Sequence, residues 1–325
     1  MEKLSIVVPC YNEEEVLELF YTTTIKVVEQ VQEKYDYEFV FIDDGSKDKT
    51  LEILKKLREE DSHIHIISFS RNFGKEAAIY AGLSNCIGDL VVVMDADLQH
   101  PPAVLPEMLK GIEDGYDTVT TKRMNRKGEG KIKSTFSRCF YSLMKKLTKT
   151  EIVNGAQDFR MMKRIVVDAI LSLKEYNRFS KGIFSWVGFK VKYIEIENVE
   201  RAAGETKWSL KSLFRYAIEG ILAFSTSPLR ISTVVGAIIS LFAIILGICI
   251  LGQTLIYGKD VPGYASTITT ILFMGGIQLL SIGIIGEYIA KMYLEIKDRP
   301  KYLIREDIKS ENEDKKNKNE KNETT

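Results

Sequence analysis

The sequence predicts an α/β fold: a mostly parallel sheet with helices on both faces, then interfacial helices and a C-terminal two-helix transmembrane hairpin. Three observations lead there. Short β-rich runs alternate with helical segments over the first two hundred residues, which calls for parallel strands joined by helical crossovers. Two long charge-free apolar runs follow. The β-rich runs also end in polar and acidic residues, as they should where an open sheet gathers ligands beyond its strand ends.

Taken in order, LSIVVP, YEFVFID, HIHIISF, DLVVVM and YDTVTT read as strands, with TLEILKKLREE and GKEAAIYAGLSNC among the helices between them. This globular part is assigned to residues 1–206. Within it, KIKSTFSRCFYSLMKKLTK (131–149) sets Ile132, Phe136, Phe140, Leu143, Met144 and Leu147 at helical spacing among six cations and no acid. A basic amphipathic helix of that kind suits an anionic membrane surface. Residues 207–228 read as a second interfacial helix, with Trp208 at headgroup level.

No charge falls between Arg230 and Lys259, and none between Val261 and Gly286. Each run is at least as long as the roughly 20 residues a bilayer span needs, so residues 229–294 are read as two spans, about 231–256 and 265–288. Arg215 and Arg230 precede the first span, and Lys291, Lys297, Arg299, Lys301 and Arg305 follow the second, while the loop holds only Lys259. Cationic flanks stay on the cytoplasmic side, which predicts a multi-pass membrane protein with both termini cytoplasmic. Gly275, Gly276, Gly283 and Gly286 leave room for close helix contact and so for a homo-oligomer. Residues 295–325 are polar and mixed in charge, and are expected to be a disordered tail.

Lys+Arg and Asp+Glu are 45 each, so net charge gives no reason to expect nucleic acid as a partner. The four cysteines are widely separated and lack metal-type spacing, as in a reduced, cytosol-facing protein. MEKLSIVVPCYNEE has too short an apolar run for a secretory signal.

Three predicted strands end in candidate site residues: Pro9, Tyr11, Asn12 and Glu13; Asp43, Asp44, Gly45 and Ser46; and Asp95, Asp97 and Gln99. If the chain stays extended past Met94, Asp95 and Asp97 project from one side. With Gln99 as a neutral third donor they suit Mg²⁺ or Mn²⁺, which keep coordination positions for water and phosphates. A turn in which Asp serves its own backbone is the plainer reading of both DDGS and MDADLQ.

VPCYNEE, FIDDGSKDKT, RNFGKEAAIYAG, MDADLQHPP and RAAGETKW, in that order, resemble the inverting glycosyltransferase family 2. Within it the likeness is to polyprenyl-phosphate sugar transferases, the group of dolichol-phosphate mannose synthase and the bactoprenol glucosyltransferases. It covers residues 4 to about 210, and the paired spans match the bactoprenol branch. The resemblance implies a GT-A-type, Rossmann-like domain. It puts Pro9, Tyr11, Glu13, Asp43 and Asp44 at the nucleotide, and Asp95, Ala96, Asp97 and Gln99 at the metal and diphosphate. It further implies that Arg123, Arg201 and Lys207 meet phosphate charge, and that Asp158 in NGAQDFRMM stands where related enzymes keep a base or a sugar-orienting carboxylate. The implied reaction takes a hexose from a nucleotide sugar, UDP-glucose or UDP-N-acetylglucosamine, to undecaprenyl phosphate among membrane lipids, for cell-envelope glycan modification.

Two other readings remain. A processive polysaccharide synthase would carry a Gln-x-x-Arg-Trp signature, and neither Trp186 nor Trp208 follows an arginine. A catalytically idle membrane anchor that binds nucleotide sugars or recruits a partner would keep the fold without needing Asp97.

Overall fold

The computed structural model describes residues 1–123, 153, 155–176, 178–196, 225–257 and 263–310. The chain divides into two compact units, Met1–Arg215 with Pro300–Thr325, and Tyr216–Arg299.

The first unit holds an eight-stranded sheet. In chain order its elements are β1 (Glu2–Cys10), α1 (Leu17–Glu29), β2 (Tyr35–Asp43), α2 (Thr50–Glu60), β3 (Ile64–Phe69), α3 (Lys75–Asn85), β4 (Leu90–Val93), α4 (Leu105–Glu113), β5 (Thr118–Arg123), β6 (Ala156–Lys163), α5 (Arg164–Ser172), α6 (Ser180–Trp186), β7 (Val191–Ile196) and β8 (Ile304–Ile308). The strand order is β7-β5-β6-β4-β1-β2-β3-β8. β1, β2, β3 and β4 pair in parallel, as do β5 and β7, whereas β6 runs antiparallel to both of its neighbours and β8 antiparallel to β3. The sheet is mostly parallel, as expected, with β6 and β8 making it mixed.

Alternate residues of each strand face opposite sides. Leu4, Ile6 and Val8 of β1 join Phe39 and Phe41 of β2, Val92, and Phe20 of α1, Leu54 of α2 and Met108 of α4 in one core. Phe39 and Phe41 stack at 5.7 Å, and Phe20 meets Phe41 edge-on at 6.4 Å. α3 covers the other face against β1 and β2. There a side chain larger than glycine does not fit: a Cβ at Gly82 would collide with Val7. Gly82→Ala is expected to cost roughly 1–3 kcal/mol by overpacking, read as a lower melting midpoint by circular dichroism.

The parallel register runs from Glu2↔Tyr35 to Cys10↔Asp43 and pairs Val7 with Val93. It thus brings the ends of β1, β2 and β4 to one edge, the edge where the sequence places its acids. β4↔β6 pairing joins Leu90 to Lys163 and Val93 to Arg160. Carried two residues onward, that register puts Asp158 opposite Asp95.

The expectation of a disordered tail from residue 295 is corrected for residues 295–310. Residues to Ile296 are helical, and Ile304–Ile308 pairs with Ile66–Phe69. An edge strand needs only one ladder, so polar residues are tolerated on its open side. Tyr302 stacks on Phe69 at 4.9 Å, Asp307 meets buried His65 at 2.7 Å, and Arg58 donates to the Lys309 carbonyl at 3.1 Å. The hydrogen bond from His65 holds the Asp307 carboxyl below its ordinary range. That contribution is complete above the ordinary carboxylate range and is lost as pH falls through the lowered value. Ending the chain after Arg299 removes a ladder whose bonds are worth roughly 0.5–1.5 kcal/mol each; the melting midpoint of the detergent-solubilised protein is expected to fall.

The second unit contains α7 (Ser227–Tyr257) and α8 (Tyr264–Ile296), with residues 227–250 and 269–296 long and apolar enough to cross a membrane. Both helices are longer than the expected spans. They touch each other; Ser232 and Ser281 hydroxyls lie 2.9 Å apart, and the Tyr288 hydroxyl donates to the Ser225 carbonyl at 2.6 Å. A Cβ at Gly275, Gly276, Gly283 or Gly286 would meet no atom within 4 Å, so α8 does not use these glycines against α7. The basic segment 131–149 and most of the interfacial segment 207–228 lie outside the described residues.

Candidate active site

The site grows from three loops at one sheet edge. Pro9 is the penultimate residue of β1, and Tyr11, Asn12 and Glu13 follow it. Asn12 takes a left-handed backbone, φ 54°, which asparagine tolerates better than most residues. Its amide donates to Ser46 Oγ at 3.0 Å, and its Oδ1 accepts from the Lys47 amide at 2.9 Å. The Glu13 amide donates to Thr50 Oγ1 at 2.9 Å. The loops after β1 and β2 are thus zipped together, and a cavity of about 380 Å³ beside them is lined by Asn12, Glu13, Lys47 and Asp48 among others.

Asp43 and Asp44 are both buried. Asp43 Oδ1 accepts from the Ser46 amide at 3.0 Å and Oδ2 from the Ser68 hydroxyl at 2.7 Å. Asp43 therefore shapes its own turn and ties it to β3. Asp44 Oδ1 and Oδ2 accept from the amides of Phe73 and Gly74 at 2.6 and 2.9 Å. Burial raises the Asp44 carboxyl above its usual value, opposed by those two amides. Gly45 between this pair and Ser46 has φ 66°, and a Cβ there would lie 2.5 Å from the Arg71 carbonyl carbon. Only glycine allows the two loops to approach so closely.

Asp44 thereby fixes RNFGKE, the loop that opens α3. Arg71 lies over the Phe73 ring at 4.3 Å, and Gly74, φ 98°, turns the chain into the helix. The first helical residue is Lys75. Its ammonium sits 2.8 Å from Asp95 and 2.9 Å from Asp158. Protein crowded around its tip pulls this ammonium down, although the side chain as a whole is 44% exposed, and the carboxylates of Asp158 and Asp95 outweigh that and raise it above the ordinary lysine value. The next residue, half-buried Glu76, accepts from the amide and hydroxyl of Ser180 at the start of α6. One helix terminus thus holds both the acidic pair and α6.

β4 ends at Val93, and residues 96 and 97 form a turn. The expectation that the chain stays extended through Asp97 is corrected: the Gln99 amide donates to Asp97 Oδ1 at 3.1 Å and Leu98 is left-handed, φ 56°. Ala96 is buried, and Asp95, Asp97 and Gln99 are partly exposed. His100 is buried, stacks on Phe159 at 5.2 Å and lies 3.9 Å from Asp95. Burial holds its imidazole below the usual value against the pull of Asp95. Beyond Asp158, buried Arg160 lies 3.6 Å over the Phe184 ring and donates to the Gln157 carbonyl. Burial lowers its guanidinium to about 10 despite nearby Asp158.

Among the described residues no group of three or more His, Cys, Asp or Glu is arranged to hold a metal. Asp95 and Asp97 instead offer two partly exposed carboxylates on one turn. Such a donor set fits Mg²⁺ or Mn²⁺, which draw the rest of their shell from water and phosphate.

The sheet brings Asp95, Asp97 and Asp158 to one edge. Arg123 ends β5, and nothing further is described of its side chain; Arg201 and Lys207 lie outside the described residues. Lys75, Glu76 and His100 were missed as site residues. For Lys75 there was a local signal, a cation directly after a glycine at a helix start. For His100 there was none, since its ring stacking depends on β6.

A family model described as glycosyl transferase family 2 matches residues 5–171, and one described as the GtrB C-terminal hairpin matches residues 227–292. A Bacillus subtilis protein named "putative glycosyltransferase CsbB" is 47% identical over 93% of this chain and 91% of its own length. A prophage bactoprenol glucosyl transferase homolog of Escherichia coli is 44% identical, covering 93% and 98% respectively. A prophage-derived bactoprenol glucosyl transferase of Shigella flexneri is 43% identical, covering 93% and 97%.

Proposed function

Since the chain belongs to glycosyltransferase family 2, we propose that it transfers glucose from UDP-glucose to undecaprenyl phosphate at the cytoplasmic face of a bacterial membrane. The observation that carries this reading is the meeting of Asp95 and Asp158 on Lys75 at one sheet edge, with Asp97 two residues beyond Asp95, in a chain that also has two membrane-length helices. Relatives named for bactoprenol glucosyl transfer support glucose and the lipid acceptor. Orientation draws on the cationic flanks.

In this reaction an oxygen of the lipid phosphate forms a bond to the anomeric carbon as the bond from that carbon to the nucleoside diphosphate breaks. A single displacement inverts the configuration. The attacking phosphate is already ionised near neutral pH, so no proton has to be removed. Asp158, opposite Asp95 and paired with Lys75, is therefore assigned to orienting the sugar rather than to base catalysis. Tyr11 and Glu13 are assigned to the nucleotide, through a stacking face and a carboxylate acceptor for base or ribose. Asp43 and Asp44 serve the same pocket from beneath, by fixing the loops that frame it. Arg123, Arg201 and Lys207 are assigned to phosphate charge, which grows on the leaving group during transfer. A Mg²⁺ or Mn²⁺ held by Asp95 and Asp97, with Gln99 beside them, would supply Lewis-acid stabilisation of the departing diphosphate.

The full-length protein in detergent, given Mn²⁺, undecaprenyl phosphate and a panel of nucleotide sugars, is expected to yield a glucosyl phospholipid by mass spectrometry with UDP-glucose preferred. A product from UDP-N-acetylglucosamine alone would change the sugar. No lipid-linked sugar from any donor would sink the reading.

A further inference from the structure

Lys75 has a part that the phosphate-handling residues leave unassigned. Asp44 anchors its loop, Gly74 turns the chain, and the ammonium then bridges Asp95 and Asp158, residues from different strands. Two carboxylates drawn to one edge repel each other unless a cation stands between them. Lys75 is that cation, 2.8 Å from Asp95 and 2.9 Å from Asp158. Its side chain is 44% exposed and those of Asp95 and Asp158 are 25% and 22% exposed, so solvent and an incoming ion reach the bridge. Asp95 is also one of the two carboxylates that suit a divalent cation. The ammonium lies 2.8 Å from both oxygens of Asp95, so a divalent ion that takes either oxygen meets a like charge at contact distance and pushes it away.

We infer that Lys75 is a positioning residue, an internal counter-cation that keeps Asp95 and Asp158 together before substrate arrives and yields Asp95 to the divalent cation when it binds. This rests on the proposed metal-dependent reading. After the exchange Lys75 remains beside Asp158, so the orientation of that carboxylate is coupled to occupancy of the metal position. The coupling links loading of the donor's diphosphate side to readiness of the sugar side. His100 lies 3.9 Å from the same carboxylate but is buried, so it does not compete at the open face.

The test is Mn²⁺ binding to the full-length, donor-free protein, followed by electron paramagnetic resonance, for wild type, Lys75→Gln and Lys75→Arg. Removing the competing charge is expected to tighten Mn²⁺ binding by about threefold or more, while kcat falls by about tenfold or more because Asp158 loses its anchor. Lys75→Arg, which keeps the charge, is expected to keep the wild-type Mn²⁺ affinity. A merely structural lysine would not tighten metal binding when removed. Equal or weaker Mn²⁺ binding by a folded Lys75→Gln protein overturns the inference alone. No Mn²⁺ binding by either protein, with or without UDP, overturns it together with the metal reading. Should Lys75→Gln fail to fold, acetic anhydride labelling of wild-type Lys75, read by peptide mass spectrometry, replaces it. Mn²⁺ alone is expected to speed that labelling by freeing the amine from Asp95, and an unchanged rate overturns the inference.

Discussion

Replacing Asp97 by Asn is expected to cut transfer to undecaprenyl phosphate by about a thousandfold while leaving the fold in place. The amide oxygen of Asn can still accept from the Gln99 amide that closes the turn after Ala96, so the local backbone has no reason to move. What disappears is one negative charge from a donor set with only two carboxylates. A Lewis acid at a departing diphosphate is worth several kcal/mol, and each ~1.4 kcal/mol is about tenfold in rate. The check is initial rate at saturating Mn²⁺ and UDP-glucose, beside a thermal melt. Wild-type activity in Asp97→Asn would remove Asp97 from the chemistry, and unchanged lipid glycosylation in cells would favour an idle anchor.

The second large effect is expected at a residue that need not touch substrate. Asp44 is buried, and both of its carboxylate oxygens accept amides of the loop leading to Lys75. Asn offers only one acceptor oxygen, so Asp44→Asn sets its own NH₂ against a backbone N–H. A buried donor left unpaired costs roughly 1–3 kcal/mol. The loop would shift, and Lys75 with it, and a displacement of about 1 Å at the site can cost about a hundredfold in rate. Lower kcat together with a lower melting midpoint is expected, with KM for UDP-glucose changed less than kcat. A raised KM with kcat and stability intact would instead put Asp44 in direct contact with the nucleotide.

These two aspartates mark how far the sequence could be read. The strands β1 to β5 and the acids at their ends were legible because strand-forming runs stop at turn residues, a local property. The membrane helices were legible because absence of charge over about 20 residues needs no tertiary knowledge. In the sequence β6 shows only as a motif and β8 as polar tail, since pairing partners decide whether a polar stretch such as IREDI forms a ladder. DDGS looked alike at both aspartates, and only the loops around it revealed that their oxygens face inward, to a turn and to RNFGK.

By itself, then, the sequence determined the alternation that builds the sheet, the two apolar helices, the family and the acids at the strand ends. Tertiary structure decided what those acids meet. The antiparallel insertion of β6 sets Asp158 opposite Asp95, and the Gly45 and Gly74 turns deliver Lys75 between them. Contacts between residues 20 and 83 positions apart depend on register and loop approach, and neither is written in the local pattern of side chains.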